Sequence, residues 1–112
     1  MNYTKILAGA FISVFFTSCY YDNEEYLYGL KECSETISFK TDVSPLILNS
    51  CSTTGCHADV QTPILTDYSS ISAHSDRILF RTSNGTMPVA GPLTADEIQT
   101  IRCWVEQGAL DN

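Results

Sequence analysis

The longest apolar run stands at the front of the chain. Ile6 to Phe16 reads ILAGAFISVFF behind a single Lys5, eleven residues in all. That is too short for an ordinary transmembrane helix, which needs about 20 residues, and it fits the apolar region of a secretory signal. The pattern then lapses: Tyr20 to Tyr26, YYDNEEY, has no hydrophobic period, so residues 19–38 are expected to form a tether and linker. Helical signals return after residue 38. Ser44-Pro45 predicts the N-cap and first position of a helix, with Thr41 as an alternative earlier start and Leu46 and Ile47 on the apolar side. Residues 69–83 predict one or two short helices with Ile71, Ile78 and Leu79 inward. The clearest element comes last. Thr94-Ala95-Asp96-Glu97 is a capping box, Ile98, Ile101 and Val105 recur at helical spacing with Trp104 beside them, and Gly108 supplies the stop. No stretch alternates long enough for a sheet, so the expected fold class is all-α.

A chain of 112 residues makes one domain at most once the leading segment, 1–18, is set aside. A domain under about 100 residues buries a modest share of its surface and often depends on a staple, a metal or a cofactor. Five cysteines and two methionines are therefore the residues to account for.

Residues 51–57 read Cys51-Ser52-Thr53-Thr54-Gly55-Cys56-His57. Two cysteines followed at once by histidine is the order used for covalent c-type haem attachment, although the usual spacing is C-x-x-C-H. Here four residues separate the cysteines. On a helix, cysteines three apart lie about 60° apart, and cysteines five apart about 140°. The intervening residues must therefore loop outward, with Gly55 relieving the backbone where it turns back. Three other uses of the pair are a disulfide, half of a zinc site with His74 as a spare ligand, and a redox dithiol. None of them accounts for a histidine directly after the second cysteine.

After signal removal one methionine remains, Met87, in Gly85-Thr86-Met87-Pro88. Haem iron bound by His on one side commonly takes Met on the other, which raises the reduction potential. Pro88 biases Met87 to an extended backbone and so presents its thioether from a loop. The competing uses are Met87 as a core filler and His74 as the second axial ligand, with a surface or haem-rim position for His74 as its plainer reading. Arg77 and Arg81 stand one helical turn apart, suited either to a haem propionate or to a solvated face.

The ordered set Phe39-Lys40-Thr41-Asp42-Val43-Ser44-Pro45-Leu46-Ile47, Cys51 to Cys56-His57, Thr86-Met87-Pro88, Leu93-Thr94-Ala95-Asp96-Glu97-Ile98 and Trp104-Val105-Glu106-Gln107-Gly108-Ala109 resembles a small class I-like cytochrome c domain. It is closest to the variant with four residues between the haem cysteines. The resemblance spans residues 39–112 and implies a small helical fold around one covalently bound haem c. It places Cys51 and Cys56 in thioether bonds and His57 and Met87 on the iron. The implied function is electron transfer rather than enzymatic catalysis. Two alternatives stay open: a haem-based ligand sensor, if Met87 is not bound, and a haem-free surface domain held by a disulfide.

Phe16-Thr17-Ser18-Cys19 resembles a bacterial lipoprotein signal, with Phe16 where that family prefers Leu. The resemblance implies acylation of Cys19 as the first mature residue, giving a membrane-anchored protein of the bacterial cell envelope that faces the periplasm or the exterior. An ordinary signal peptide with an incidental Cys19 is the alternative. The acidic run that follows resembles the display segment of some surface lipoproteins, and a solvated linker would look the same. Removal of the signal takes Lys5 away, leaving five basic residues against thirteen acidic ones and a net charge near −8. Such a chain is unsuited to nucleic acid, whose phosphates need a basic surface, and suits basic redox partners steered by charge. With Cys19 assigned to lipid and Cys51 and Cys56 to haem, Cys33 and Cys103 remain. In an oxidising compartment they are expected to pair.

Overall fold

The computed structural model describes residues 31–112. The expected signal, Cys19 and the tether up to residue 30 lie outside the described residues. Among the described residues the fold is all-α, with no strand. A π-helical turn, π1 (Phe39–Val43), runs directly into α1 (Ser44–Ser50); α2 (Tyr68–Ala73) and α3 (Ser75–Ser83) follow, broken at His74, and α4 (Ala95–Glu106) closes the order. No helix among these is long and apolar enough to cross a membrane.

The first helix begins earlier than Ser44-Pro45 predicts. Its cap is Ser38, whose side-chain oxygen accepts from Thr41 N–H at 3.3 Å while Asp42 Oδ2 accepts from Ser38 N–H at 2.8 Å. Ser44 is itself helical, at φ −58° and ψ −49°. Proline explains the irregular turn. Pro45 has no N–H to offer the preceding turn, and its ring crowds the carbonyl four residues back. The wider π turn, in which Val43 N–H reaches Ser38 O at 3.2 Å, makes room for it.

The core forms where π1, α1, α3 and α4 meet. Val43, Ile47, Ile71, Ile101 and Trp104 are fully enclosed. Each buried aliphatic of this size contributes about 1.5–3 kcal/mol. Trp104 stacks on Phe39 at 5.6 Å between ring centroids, and Phe39 meets Tyr68 edge-on at 5.0 Å. Ile101 and Trp104 thus tie the last helix to the first, as their spacing predicts. Ile71 and Ile78 are buried and Leu79 packs beside them.

α4 has both of its predicted ends. Thr94 Oγ1 accepts from Glu97 N–H at 3.3 Å, and Glu97 Oε2 accepts from Thr94 N–H at 2.8 Å, closing the capping box. At the other end Gly108, φ +97°, lets the chain reverse so that Ala109 N–H reaches Trp104 O and Gly108 N–H reaches Val105 O. Thr94→Ala is expected to cost about 1 kcal/mol, which lowers the melting midpoint of a domain this size by about 4–8 °C. A thermal melt with an unmoved midpoint would show that the box carries no weight.

The part of the expected linker that is described is fastened down. Cys33 is disulfide-bonded to Cys103 of α4, with 5.3 Å between the two Cα atoms. Gln99 brackets Lys31, donating to its carbonyl and accepting from its N–H at 3.2 Å; Gln107 accepts from Ile37 N–H at 2.9 Å and donates to Glu35 O at 2.7 Å. Asn112 accepts from Phe39 N–H at 2.7 Å and donates to Ile37 O at 3.2 Å. Of its own side chains, Cys33 holds the segment through the bridge and Ile37 packs against the core. Side-chain amides from α4, from just past its end and from the C-terminal residue satisfy its backbone.

Candidate functional site

A cleft of about 270 Å³ opens between the residues after α1, helix α3 and the loop after α3. Cys51, Cys56, His57 and Met87 all line it, as do His74, Arg77 and Arg81. The structure therefore brings together in one place residues that the sequence spreads over positions 51 to 87.

The loop between the cysteines is closed by its own backbone. His57 N–H donates to Cys51 O at 3.1 Å, and Cys56 N–H to Thr53 O at 2.9 Å. Thr53, Thr54 and Gly55 are pushed out to solvent, and Gly55 takes φ +84°, a conformation only glycine adopts freely. Asp59 Oδ1 accepts from Gly55 N–H at 2.8 Å and fixes the turn. The two thiols are not joined to each other; Cys51 is buried and Cys56 exposed. Burial first, and the neighbouring Cys56 second, push the Cys51 thiol up to about 11. A redox dithiol works through a thiol lowered toward neutrality, the opposite of the shift at Cys51.

His57 is held by a group that carries no sequence signature. Its Nδ1 lies 2.7 Å from the carbonyl oxygen of Pro63. A carbonyl can only accept, so Nδ1 carries the proton and, in the neutral ring, Nε2 keeps its lone pair. Metal-ligating histidines are oriented in this way, by an N–H bond from the second nitrogen to a carbonyl or carboxylate. The Pro63 segment is set in turn by Leu65 N–H, which donates to His57 O at 2.8 Å, and by Ser52 Oγ–H, which donates to Leu65 O.

Met87 is half-buried in a loop that folds back on the end of α3. Its N–H and that of Thr86 both donate to Arg81 O at 3.1 Å. His74, at the break between α2 and α3, sends Nδ1 to Ser70 O at 2.8 Å, a bond within its own turn. Arg77 and Arg81 form no ion pair among the described residues, whereas Arg102 of α4 pairs with Glu106 at 2.9 Å. Neither Asp nor Glu appears on the cleft wall, in a chain whose net charge is −7. Leu65, Ile78, Pro63, Pro88 and Val89 give the wall its apolar surface. Among the described residues no three His, Cys, Asp or Glu side chains gather to hold a bare metal ion. An apolar wall with two arginines and no carboxylate suits a largely apolar group with anionic edges.

No family model, no curated protein and no solved structure matches this chain.

Proposed function

We propose that the protein is an electron carrier with one covalently attached c-type haem, anchored by lipid at Cys19 to a bacterial cell envelope. The observation that carries this reading is the bond from His57 Nδ1 to Pro63 O in a cleft shared with Cys51, Cys56 and Met87. It leaves one histidine nitrogen prepared for a metal immediately beside two unpaired thiols. The haem, when bound, cycles between ferric and ferrous states one electron at a time. Cys51 and Cys56 would hold it through thioether bonds, and His57 and Met87 would offer its iron an imidazole nitrogen and a thioether sulfur. Leu65 and Ile78 would keep water from the ring, and Arg77 and Arg81 would offer charge to its carboxylates. A basic redox partner suits the acidic chain. With His57 and Met87 both offered to the iron, the chemistry it would supply is electron transfer rather than substrate binding.

The test is direct. Full-length protein made in a host able to attach haem c is expected to keep its haem through denaturing electrophoresis and to stain for peroxidase activity. Extraction of all the haem by acidified organic solvent would rule out thioether attachment. Absence of any visible haem band would leave the disulfide-held surface domain as the reading.

A further inference from the structure

The loop bearing Met87 is built around a residue that takes no part in the cleft. Asn84 caps the end of α3, and its Oδ1 accepts two bonds from Thr86: from the N–H at 3.0 Å and from the hydroxyl at 2.6 Å. The Thr86 hydroxyl also lies 3.3 Å from Arg81 O, the carbonyl that accepts from the N–H groups of both Thr86 and Met87. Gly85, φ +71°, gives the reversal that makes this possible, and its N–H reaches Thr82 O at 3.2 Å. The hydrogen bonds made by Thr86 and by the Met87 N–H therefore run through two acceptors, Asn84 Oδ1 and Arg81 O. Asn84 and Thr86 are both exposed, so neither holds the core together. Arg81 O cannot be removed by substitution; Asn84 can.

We infer that Asn84 is a positioning residue for the Met87 thioether, acting through Thr86, and that it sets how readily Met87 gives way to another ligand. This rests on the reading of Met87 as an iron ligand. Thr86, Val89 and Ala90 are exposed and Met87 and Pro88 only half-buried, so the loop leans on these hydrogen bonds for its shape. Losing both Asn84 bonds shifts the balance between held and released Met87 by about a factor of ten, since an exposed hydrogen bond, at the low end of the net range, is worth about a factor of three in an equilibrium.

The experiment compares haem-loaded, full-length wild type, Asn84→Ala, Asn84→Asp and Thr86→Val, with imidazole as the competing ligand for oxidised protein. Asn84→Ala is expected to bind imidazole about tenfold more tightly. Asn84→Asp keeps an oxygen acceptor in the same place and should return to near the wild-type value. Thr86→Val removes the hydroxyl and keeps the N–H, so it should fall between wild type and Asn84→Ala. Amide exchange at Thr86 and Met87 should quicken in Asn84→Ala while α4 is unchanged, a local signature that general destabilisation would not give. An imidazole affinity unaltered in both Asn84→Ala and Thr86→Val overturns the inference and leaves the Met87 reading standing. A wild type that lacks methionine ligation altogether overturns both.

Discussion

Met87→Ala is expected to lower the reduction potential of the haem-loaded protein by about 100 mV or more. A neutral, soft thioether prefers ferrous over ferric iron. In a one-electron couple each tenfold loss of that preference is about 59 mV, so a preference of roughly two orders of magnitude accounts for the drop. The same change should abolish the weak absorption toward the red that methionine gives oxidised haem, and should open the iron to carbon monoxide. His74 is the rival, because it also lines the cleft and its Nε2 is left free by the bond from Nδ1 to Ser70 O. That bond ties the ring to the end of α2, whereas Met87 sits in the loop after α3. His74→Ala should therefore leave potential, red absorption and carbon monoxide binding nearly unchanged. Loss of low-spin character in His74→Ala with a silent Met87→Ala would reverse the ligand assignment. A wild type that binds carbon monoxide would favour the ligand sensor.

Cys33→Ala/Cys103→Ala is expected to destabilise the fold by about 4 kcal/mol in the chain-entropy account of a 70-residue loop. For a domain of this size that lowers the melting midpoint by roughly 15–30 °C. The bridge joins residues 31–38 to α4, and neither of its cysteines lines the cleft. The visible spectrum below the melting transition should accordingly be that of wild type. Denaturant titration gives the free energy. A loss under about 1 kcal/mol, or two alkylatable thiols at Cys33 and Cys103 in native protein, would show that the bridge does not form or does not matter.

The regular parts of the fold were written plainly in the sequence. Thr94 with Glu97 and the stop at Gly108 bound α4 because capping chemistry is local, needing no knowledge of the rest of the molecule. Ile71, Ile78, Ile101 and Trp104 were legible through helical period for the same reason. The start of the first helix was not. Ser44-Pro45 is a good local cap, but Ser38 and Asp42 outcompete it by bonding to each other's turn, and the π turn that reconciles this with Pro45 depends on geometry rather than residue type. The site shows the same division. Cys51, Cys56, His57 and Met87 stand out as residue types, and the need for an outward loop at Gly55 followed from helix angles. Pro63 and Asn84 did not stand out. Pro63 contributes a carbonyl, which every residue has, and Asn84 contributes a bond to a neighbour two positions on, which marks any number of turns. The fastening of residues 31–38 was invisible for a related reason: the glutamines that hold the segment lie in α4 and just past its end, far along the chain, and a glutamine there is ordinarily read as solvated surface.

The position of the disulfide also decides how the domain bears a mechanical load. Every residue of the cleft wall, from Ser50 to Ala90, lies inside the covalent ring closed by Cys33 and Cys103. Tension applied between Lys31 and Asn112 enters at Cys33, crosses the sulfurs to Cys103 and leaves through the end of α4. It never passes through the polypeptide that forms the cleft. Stretched to the limit, the oxidised stretch from Lys31 to Asn112 lengthens only along the few residues outside the ring, to roughly 40 Å, whereas the same 82 residues with the bridge reduced could be drawn out to roughly 280 Å. A protein tugged from its N-terminal side thus has its site isolated from the pull by a strut of two sulfur atoms.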